Sequence, residues 1–411
     1  MEGVLCMCGF AGFSDYQEGL SGPPQHWLDL ARRMARRIAH RGPDDQGARV
    51  SQNCALAHAR LAVIDPDHGR QPMVLPFEGQ ETAIAYNGEI YNAPELRSDL
   101  ESRGFRFQTS CDTEVVLASY LCYGPDCAEK LNGIFAFAVD DPVHQRTFLC
   151  RDRFGVKPLF YTLREGKLVF ASEIKALFEF PGVQPVVGRE GLCEIFGLGP
   201  ARTAGCGVFE GIRELKPGHV AIFDRLGFRE LPYFDLEAQP HEETYQQTVE
   251  HLRELLLETV ERQLQSDVPL CAFLSGGLDS SIISAVAARE FAAEGKVLHT
   301  FSLDYEDNEK YFHSTKFQPD ADTAYMQLMA DQLHSEHHLI VLKPEDVAQA
   351  LYAAVEARDL PGMADVDSSL LLFCQQIRQH VKVALSGECA DELFGGYPWF
   401  RDPQIRSRYG F

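Results

Sequence analysis

The sequence lacks a long hydrophobic run. Near its middle, the longest unbroken apolar stretch covers Ile134 to Val139, far fewer than the roughly 20 residues that a membrane-spanning helix needs. The N-terminus also lacks the basic segment and apolar core of a secretory signal, and an acidic Glu2 stands there instead. We therefore expect a cytoplasmic protein without a membrane span.

Basic residues are scarce as well. The 411 residues include 38 Lys and Arg against 60 Asp and Glu, a formal net charge of −22. This charge repels nucleic-acid backbones and anionic membrane surfaces, so we expect neither nucleic acid nor a membrane as a partner. A small anion such as ATP remains compatible, because backbone N–H groups and a metal ion can neutralise it inside a pocket.

The 12 cysteines include no pair of C-x-x-C segments. Neither a cysteine zinc site nor a disulfide framework is indicated, and reduced thiols are expected. His337-His338 has no further ligands at metal-binding spacing along the sequence, so we interpret it as structural. One of the thiols can still be a nucleophile.

The length, at roughly 150 residues per domain, allows two or three domains. The first half is dense in short apolar runs around one early helix that ends near Ile38. Turn chemistry at Asn87-Gly88, at 140–142 and at Glu165-Gly166 separates predicted strands. These strands are Ala83 to Tyr86, Ile134 to Val139, Thr147 to Cys150 and Leu168 to Ala171.

The second half follows a connector at about 217–240 and a predicted long helix that contains Val249 to Leu264. Short apolar strands then alternate with amphipathic helices, a pattern that predicts a parallel sheet with ligands at the carboxyl ends of its strands. The predicted strands are Val268 to Leu274, Val297 to Leu303, Leu339 to Leu342 and Val381 to Leu385.

The strongest motif is the segment 275–281, with the sequence SGGLDSS, which follows a predicted strand and opens a helix. Its glycines, successive N–H groups and helix N-terminus suit a phosphate chain, and Asp279 could hold Mg²⁺. A serine-capped helix is the alternative. A Walker A loop would need a lysine, and a nucleophile elbow would need glycine at Phe273. The segment resembles the pyrophosphate loop of the ATP pyrophosphatase superfamily.

A second motif, SGECADELFGGY at 386–397, also follows a predicted strand. It resembles a nucleotide and magnesium segment of glutamine-hydrolysing asparagine synthetases; acids that decorate a helix N-terminus are the alternative. The resemblance implies that Asp391 shares Mg²⁺ with Asp279 while Glu388 faces the reacting carboxylate. We expect Cys389, where many relatives have Gly or Ala, to be harmless.

The segment 7–13, MCGFAGF, resembles the start of class II glutamine amidotransferases, which are N-terminal nucleophile hydrolases. Their nucleophile is the first residue, so the resemblance assigns Cys8, whose own α-amino group would be the base. A lone cysteine is otherwise an ordinary buried residue. HRGPD at 40–44 fits the same family pattern as a loop support.

The segment 87–92, NGEIYN, matches the family's oxyanion hole, in which the Asn87 side chain and the Gly88 N–H stabilise the tetrahedral intermediate. Asn-Gly is also a strong hairpin signal, and both interpretations can hold. Other residues would bind glutamine: Arg60 its α-carboxylate and Asp112 its α-ammonium. Either of these charges, taken alone, could be a solvated surface group. The full expected glutamine set is Arg60, Leu61, Ala62, Val63, Ile64, Asn87, Gly88, Glu89 and Asp112.

Taken together, the motifs imply a two-domain α/β and α+β chain. The resemblance predicts an N-terminal nucleophile hydrolase αββα sandwich at 8–225, followed by a Rossmann-like parallel-sheet ATP pyrophosphatase domain at 241–411. It implies that ammonia released from glutamine amidates aspartate through β-aspartyl-AMP, with ATP and Mg²⁺. The expected ATP-binding residues are Phe273, Ser275, Gly276, Gly277, Asp279, Ser280, Leu303, Ser386 and Gly387.

The sequence departs from the family pattern at both ends. Residues 1–7 precede Cys8, so we expect either a start at Met7 with removal of that Met, or cleavage of the segment. The synthetase region stops soon after Tyr397, and we expect it to be incomplete and weak or inactive. Alternatives are a ligase that amidates another carboxylate and a glutaminase-only or non-catalytic protein. The intact Cys8, Arg60, Asn87 and Asp112 disfavour a β-lactam synthetase. A homodimer is a family expectation.

Overall fold

The computed structural model describes residues 7–314, 322–397, 400, 402 and 403. The chain divides into two compact units. The first unit ends at Pro240 but also contains Leu351–Leu371, a segment that the sequence did not mark. The second begins at His241, continues to Ala350 and resumes at Leu372.

The first unit consists mainly of antiparallel strands. Its strands are β1 (Gly9–Ser14), β2 (Asp45–Val50), β3 (Cys54–Arg60), β4 (Met73–Phe77), β5 (Gln80–Ile90), β6 (Gly133–Asp141), β7 (Arg146–Arg151), β8 (Phe160–Arg164), β9 (Lys167–Ala171), β10 (Ile212–Glu214), β11 (His219–Asp224) and β12 (Gly227–Pro232). Its helices before Pro240 are α1 (Pro24–Arg37), α2 (Ala93–Ser102), α3 (Asp112–Tyr123), α4 (Cys127–Lys130), α5 (Ile174–Leu177) and α6 (Arg189–Leu198), with a 3₁₀ turn at Gly124–Asp126.

Two six-stranded sheets face each other in this unit. Their strand orders are β10-β8-β9-β1-β3-β2 and β12-β11-β7-β6-β5-β4. Side chains alternate along each strand, so on β5 Ala83 and Ala85 enter the core between the sheets, whereas Ile84 and Tyr86 pack under α2 and α3. Helices α1 and α5 cover the other sheet. These four layers confirm the predicted αββα sandwich.

From Tyr245 onward, helices alternate with parallel strands. The elements are α7 (Tyr245–Arg262), β13 (Leu270–Phe273), α8 (Leu278–Ala293), β14 (His299–Tyr305), α9 (Asn308–Tyr311), α10 (Thr323–Leu333), β15 (Glu336–Leu342), α11 (Pro344–Gln349), α12 (Leu351–Arg358), α13 (Ala364–Ile377), β16 (Val383–Leu385) and α14 (Ala390–Phe394). Of these, α12 belongs to the first unit, and the division between the units falls within α13.

The second unit contains the predicted parallel sheet, in the order β15-β14-β13-β16. Its central strand β13 is buried on both faces, with Leu270 and Ala272 in one apolar cluster and Cys271 in another. Because β14 and β16 flank β13, the chain leaves the carboxyl end of β13 where the strand order reverses. This is the place where open α/β sheets bind ligands. In the part of the chain that the structure describes, no helix is long and apolar enough to cross a membrane.

One local prediction from the sequence is wrong. Asn87-Gly88 forms no hairpin turn, because β5 runs through both residues to Ile90, and Gly88 pairs with Phe135 of β6. Arg60 is the last residue of β3, so Leu61 to Ile64 do not continue that strand. Contacts with distant segments end the strand there: the Leu61 N–H contacts the Cys8 sulfur, and the Ala62 N–H donates to Asp44 at 2.8 Å.

Candidate functional site

Cys8 lies directly before β1, where neighbouring segments hold both its thiol and its carbonyl group. Its Sγ is 3.3 Å from the backbone nitrogen of Leu61 and 3.3 Å from the carbonyl oxygen of the same residue. The Arg41 Nε donates to the Cys8 carbonyl at 2.9 Å. The end of β3 therefore positions the sulfur, and the loop after α1 positions its backbone.

Burial raises the pKa of the Cys8 thiol to about 11. The hydrogen bond from Leu61 and the positive charges of Arg60, Lys157 and Arg41 oppose this shift without cancelling it. A thiol with such a pKa is protonated at neutral pH, so nucleophilic attack requires a base beside it. The α-amino group of Cys8, when free, would be that base.

Lys157 is a residue of this site that the sequence reasoning missed. Its Nζ lies 3.1 Å from Met7 Sδ. Burial lowers the pKa of Lys157, and the charge of Glu89 opposes that shift. The positive charge of Lys157, like those of Arg60 and Arg41, would stabilise a thiolate at Cys8 once it forms.

Two buried residues, Arg151 and Asp152, hold the loop that contains Lys157 in place. Asp152 accepts hydrogen bonds from the backbone N–H groups of Phe154, Val156 and Lys157. Arg151 donates to the carbonyl groups of Gly155 and Lys157, and Gly155 has a φ of +68°. The available signal was the Arg-Asp pair followed by a glycine turn, which is typical of a loop stapled to the strand that precedes it.

Asn87 is buried, with 1% of its surface exposed. Within the described residues, its side-chain Nδ2 has no hydrogen-bond partner. A buried donor without a partner costs about 1–3 kcal/mol, so its retention indicates a bound acceptor. The preceding residue is tied to β3, because His58 Nε2 donates to the Tyr86 carbonyl at 2.9 Å.

Gly88 lies where strands β5 and β6 approach each other closely. A Cβ at this position would lie 2.4 Å from the Ile134 carbonyl oxygen and 2.7 Å from the Phe135 Cα. Any side chain would therefore push β5 and β6 apart. This requirement explains the glycine without a turn.

Arg60 and Asp112 are both buried, so solvated surface charge is the wrong interpretation for them. Arg60 donates to the carbonyl groups of Asp65 and Pro66, each at 2.7 Å. Asp112 accepts from the Tyr86 hydroxyl at 2.8 Å, and burial raises its pKa. A Cβ at Gly69 would lie 2.5 Å from Arg60 Nη2 and 2.9 Å from Cys111 Sγ. Gly69 therefore lies between the guanidinium and the start of α3.

Glu89 is the remaining ionisable residue of the expected glutamine set. Burial raises its pKa to about 7, the nearby Lys157 ammonium opposes the shift, and Asp112 adds to it. The Glu89 carboxyl group therefore interacts electrostatically with both Lys157 and Asp112. Of the other expected residues, Leu61 and Ala62 are buried, and Val63 and Ile64 are half-buried.

A charged network supports the backbone of Cys8. Glu173 accepts from His40 at 3.0 Å and from Arg41 Nη1 at 2.9 Å, and Lys175 Nζ lies 2.5 Å from its other oxygen. Burial alone would raise the pKa of Glu173, but these three partners hold it well below its usual range. Lys175 also pairs with Asp359 at 3.1 Å.

The SGGLDSS segment forms a compact loop between β13 and α8. Ser275 Oγ lies 2.9 Å from Ser280 Oγ and accepts from the Gly277 N–H at 3.2 Å. Gly276 has a φ of +79°, and a Cβ there would lie 2.7 Å from the Met326 nitrogen. Asp279 lies in the first turn of α8. The loop thus presents N–H groups and hydroxyls at a helix N-terminus, an arrangement that suits phosphate.

The second motif reaches the same sheet edge, because β16 pairs with β13 in parallel. A Cβ at Gly387 would lie 3.2 Å from the Asp279 Cβ and 3.2 Å from the Ser280 nitrogen. The two predicted nucleotide segments therefore meet at Gly387. Ser386 Oγ accepts from the Glu388 N–H at 3.3 Å, and the side chain of Glu388 is exposed.

Three other expected residues of this site lie on separate elements of the same unit. Phe273 ends β13 and packs against Phe373, with ring centroids 5.0 Å apart. Leu303 lies on β14 and packs against the adjoining apolar cluster. Asp391 lies in α14, and its Oδ1 lies against Gly396, where any Cβ would clash with it.

Cys389 has a backbone conformation that disfavours a side chain. Its φ of +71° is in the left-handed region, where a side chain costs roughly 1 kcal/mol and glycine does not. The residue therefore strains the loop that joins β16 to α14.

An αββα sandwich with a cysteine directly before its first strand, followed by a unit with a parallel sheet and glycine-rich loops, is the arrangement expected of a glutamine amidotransferase domain joined to an α/β domain. Family models agree: a glutamine amidotransferase domain matches residues 7–234, and an asparagine synthase domain matches residues 251–411. The chain therefore belongs to the glutamine-hydrolysing asparagine synthetase family.

Three relatives show the extent of the similarity. The chain is 46% identical to Bacillus subtilis asparagine synthetase [glutamine-hydrolyzing] 3, over 98% of this chain and 65% of that protein. It is 34% identical to asparagine synthetase [glutamine-hydrolyzing] 1 of the same organism, over 97% and 60%. It is 32% identical to amidase chyE of Penicillium rubens, over 96% and 60%. The chain thus spans somewhat less than two thirds of the length of these relatives.

Proposed function

We propose that this chain transfers the amide nitrogen of glutamine to aspartate in an ATP-dependent reaction. The products would be asparagine, glutamate, AMP and pyrophosphate, with β-aspartyl-AMP as the intermediate. The observation that most supports the glutaminase half is the buried Asn87 amide without a partner among the described residues. It lies in the unit that also holds the Cys8 thiol.

In the proposed glutaminase step, Cys8 attacks the amide carbon of glutamine after its thiol proton passes to its own α-amino group. The Asn87 Nδ2 and the Gly88 N–H then stabilise the negative oxygen of the tetrahedral intermediate. Arg60 and Asp112 bind the α-carboxylate and the α-ammonium of glutamine, helped by the 61–64 segment and Glu89. The ammonia released is the nitrogen donor for the synthetase step.

In the proposed synthetase step, the 275–280 loop and Ser386-Gly387 bind ATP, and Phe273 and Leu303 border the adenosine. Glu388 faces the reacting carboxylate. Asp279 and Asp391 offer carboxylate oxygens, which are the ligands that Mg²⁺ prefers. The contact of Gly387 with Asp279 brings the two loops to one edge of the sheet, which supports a shared ion. Bound Mg²⁺ would neutralise charge on the phosphates.

Two assays test the halves separately. The purified chain, once it begins at Cys8, should hydrolyse glutamine, and Cys8→Ala should abolish that activity while leaving any ammonia-dependent synthesis. Aspartate should promote exchange of labelled pyrophosphate into ATP, and Asp279→Asn should remove the exchange. Glutamine hydrolysis without exchange, in a folded chain, would overturn the synthetase half and favour a glutaminase-only protein.

A second acceptor is a specific alternative, because a relative with 32% identity is named an amidase and not an asparagine synthetase. A panel of carboxylic acids in the same pyrophosphate exchange assay shows whether the acceptor is aspartate or another acid. Exchange with another acid and none with aspartate would support amidation of a different carboxylate. We also infer a cytoplasmic homodimer, which light scattering of the purified chain and fractionation of cells would test.

A further inference from the structure

Three potential metal ligands converge at the amino-terminal edge of the parallel sheet. His299 opens β14, and Glu336 opens the neighbouring strand β15. In the register of these strands, His299 pairs with Glu336 and Phe301 pairs with His338. Residues two apart on a strand face the same side, and so do paired residues of neighbouring parallel strands. The side chains of His299, Glu336 and His338 therefore share one face.

The distances between their donor atoms match those of tetrahedral coordination. His299 Nδ1 lies 3.1 Å from His338 Nε2. Glu336 Oε1 lies 3.7 Å from the first nitrogen and 3.6 Å from the second. The point in the plane of the three atoms that is equidistant from them lies about 2.0 Å from each, and an ion displaced from that plane to tetrahedral angles lies about 2.1 Å from each, within the range of Zn–N and Zn–O bonds in proteins.

Hydrogen bonding alone does not account for this arrangement. The two imidazoles can share one hydrogen bond, but the carboxylate oxygen is too far from either nitrogen to accept one. It is nonetheless almost equally distant from both. Across the described ranges, no other group of three His, Cys, Asp or Glu residues brings its ligand atoms together in this way.

The protein fixes the ring of the central ligand. His338 stacks on Phe301, with ring centroids 4.6 Å apart and an interplanar angle of 17°. The adjacent His337 makes a different contact, with its Nδ1 3.0 Å from Thr300 Oγ1. Ordered ligand rings lower the cost of assembling a metal site.

We propose that His299, Glu336 and His338 bind one zinc ion, with water as the fourth ligand. The side chains are partly exposed, with 39%, 60% and 28% of their surface accessible, so an ion and a water molecule can enter. Imidazole and carboxylate ligands suit zinc far better than magnesium. The ion would clamp the edge strand β15 to β14. It lies at the amino-terminal ends of the strands, whereas the 275–280 loop lies at their carboxyl ends. The zinc site is therefore separate from the proposed magnesium site.

The test uses the full chain, stripped with EDTA and then titrated with Zn²⁺ alone. Calorimetry and elemental analysis should give one bound equivalent that His338→Gln and His299→Gln each lose or weaken by at least about tenfold, the smallest cost expected for a lost outer-shell partner. The matched control is His337→Gln, one residue along the same strand, which should bind like the wild type. Co²⁺ in place of Zn²⁺ should give the visible absorption bands of a tetrahedral site.

Equal zinc binding by His337→Gln and His338→Gln would overturn the proposal, as would the absence of saturable binding to the wild type. In that case the residues form only a hydrogen-bonded histidine pair. If His338→Gln fails to fold, as judged by circular dichroism in EDTA, Glu336→Gln decides the question. This variant alters an exposed side chain and should still lose the tight equivalent.

Discussion

Lys175 contacts Asp359 twice: its ammonium lies 3.1 Å from one carboxylate oxygen, and its backbone N–H donates to the other at 3.1 Å. The same ammonium binds Glu173, and all three side chains are largely buried. Glu173 in turn holds Arg41, which donates to the carbonyl of Cys8. The 351–371 segment is therefore linked to the backbone of the proposed nucleophile by an unbroken chain of ion pairs and hydrogen bonds.

Lys175→Met should destabilise the chain by about 3 kcal/mol, because it leaves two buried carboxylates without their shared cation. Urea unfolding measures the loss. Lys175→Met/Asp359→Asn should recover part of the stability, since one of those charges is then gone. A single variant within about 0.5 kcal/mol of the wild type would contradict the burial of this network. As a comparison, the exposed pair Arg253–Glu250 should contribute little when broken.

Asn87→Ala should lower the kcat of glutamine hydrolysis by about 10²–10³, the usual cost of removing one oxyanion donor. Its stability should not fall, because the lost amide nitrogen has no partner among the described residues. Steady-state kinetics and thermal unfolding test both expectations.

Asn92→Ala is the matched control for Asn87→Ala. The Asn92 Nδ2 donates to the Lys130 carbonyl at 2.9 Å, so this variant should lose stability and leave the chemical step unchanged. An Asn87→Ala variant with normal kcat, or one that unfolds like Asn92→Ala, would remove the oxyanion role.

The sequence predicted where the candidate site segments lie along the fold but not the residues that support them. The 275–281 and 386–397 segments were placed correctly at the ends of neighbouring strands, because a strand followed by glycine and a helix is a local pattern. The turn predicted at Asn87-Gly88 failed because the glycine serves the close approach of β6, a tertiary contact that local propensity does not contain. Lys157 and Asp359 were missed for a related reason: their partners are distant in sequence.

Glu89→Gln should stabilise the chain at pH 8 and not at pH 5. In the folded chain burial raises the pKa of Glu89 to about 7, above its usual value of 4.5. The folded state therefore retains a proton that the unfolded state loses, and stability falls as the pH rises between these two values. Removing the carboxyl abolishes that loss, which we expect to be about 1–2 kcal/mol or a few degrees in Tm.

Thermal unfolding of both proteins at pH 5 and at pH 8 checks this expectation. Glu78→Gln, at an exposed position before β5, is the matched control. Equal Tm values for wild type and Glu89→Gln at pH 8 would mean that Lys157 fully compensates the buried charge.

A free amine at Cys8 should be required for glutamine hydrolysis. With residues 1–7 attached, the Cys8 nitrogen is part of a peptide bond and cannot take the thiol proton, and the thiol pKa of about 11 leaves almost no thiolate at neutral pH. We expect a chain that begins at Cys8 to hydrolyse glutamine and a chain that retains 1–7 to be inactive until it is processed. Intact mass and N-terminal sequencing, run beside the assay, assign the activity. Hydrolysis by a preparation shown to retain 1–7 in full would require a different base.

Cys389→Gly should stabilise the chain by about 1 kcal/mol, because the φ of +71° at this position penalises a side chain and suits glycine. Part of the gain is lost to the greater freedom of glycine in the unfolded state, so Cys389→Ala is the informative comparison. It removes the sulfur but keeps the Cβ, and it should stay near the wild type. If alanine stabilises as much as glycine, the cause is the thiol and not the backbone conformation. Urea unfolding of the three proteins separates these causes, and aspartate-dependent exchange shows whether relief of strain beside Glu388 alters the proposed synthetase site.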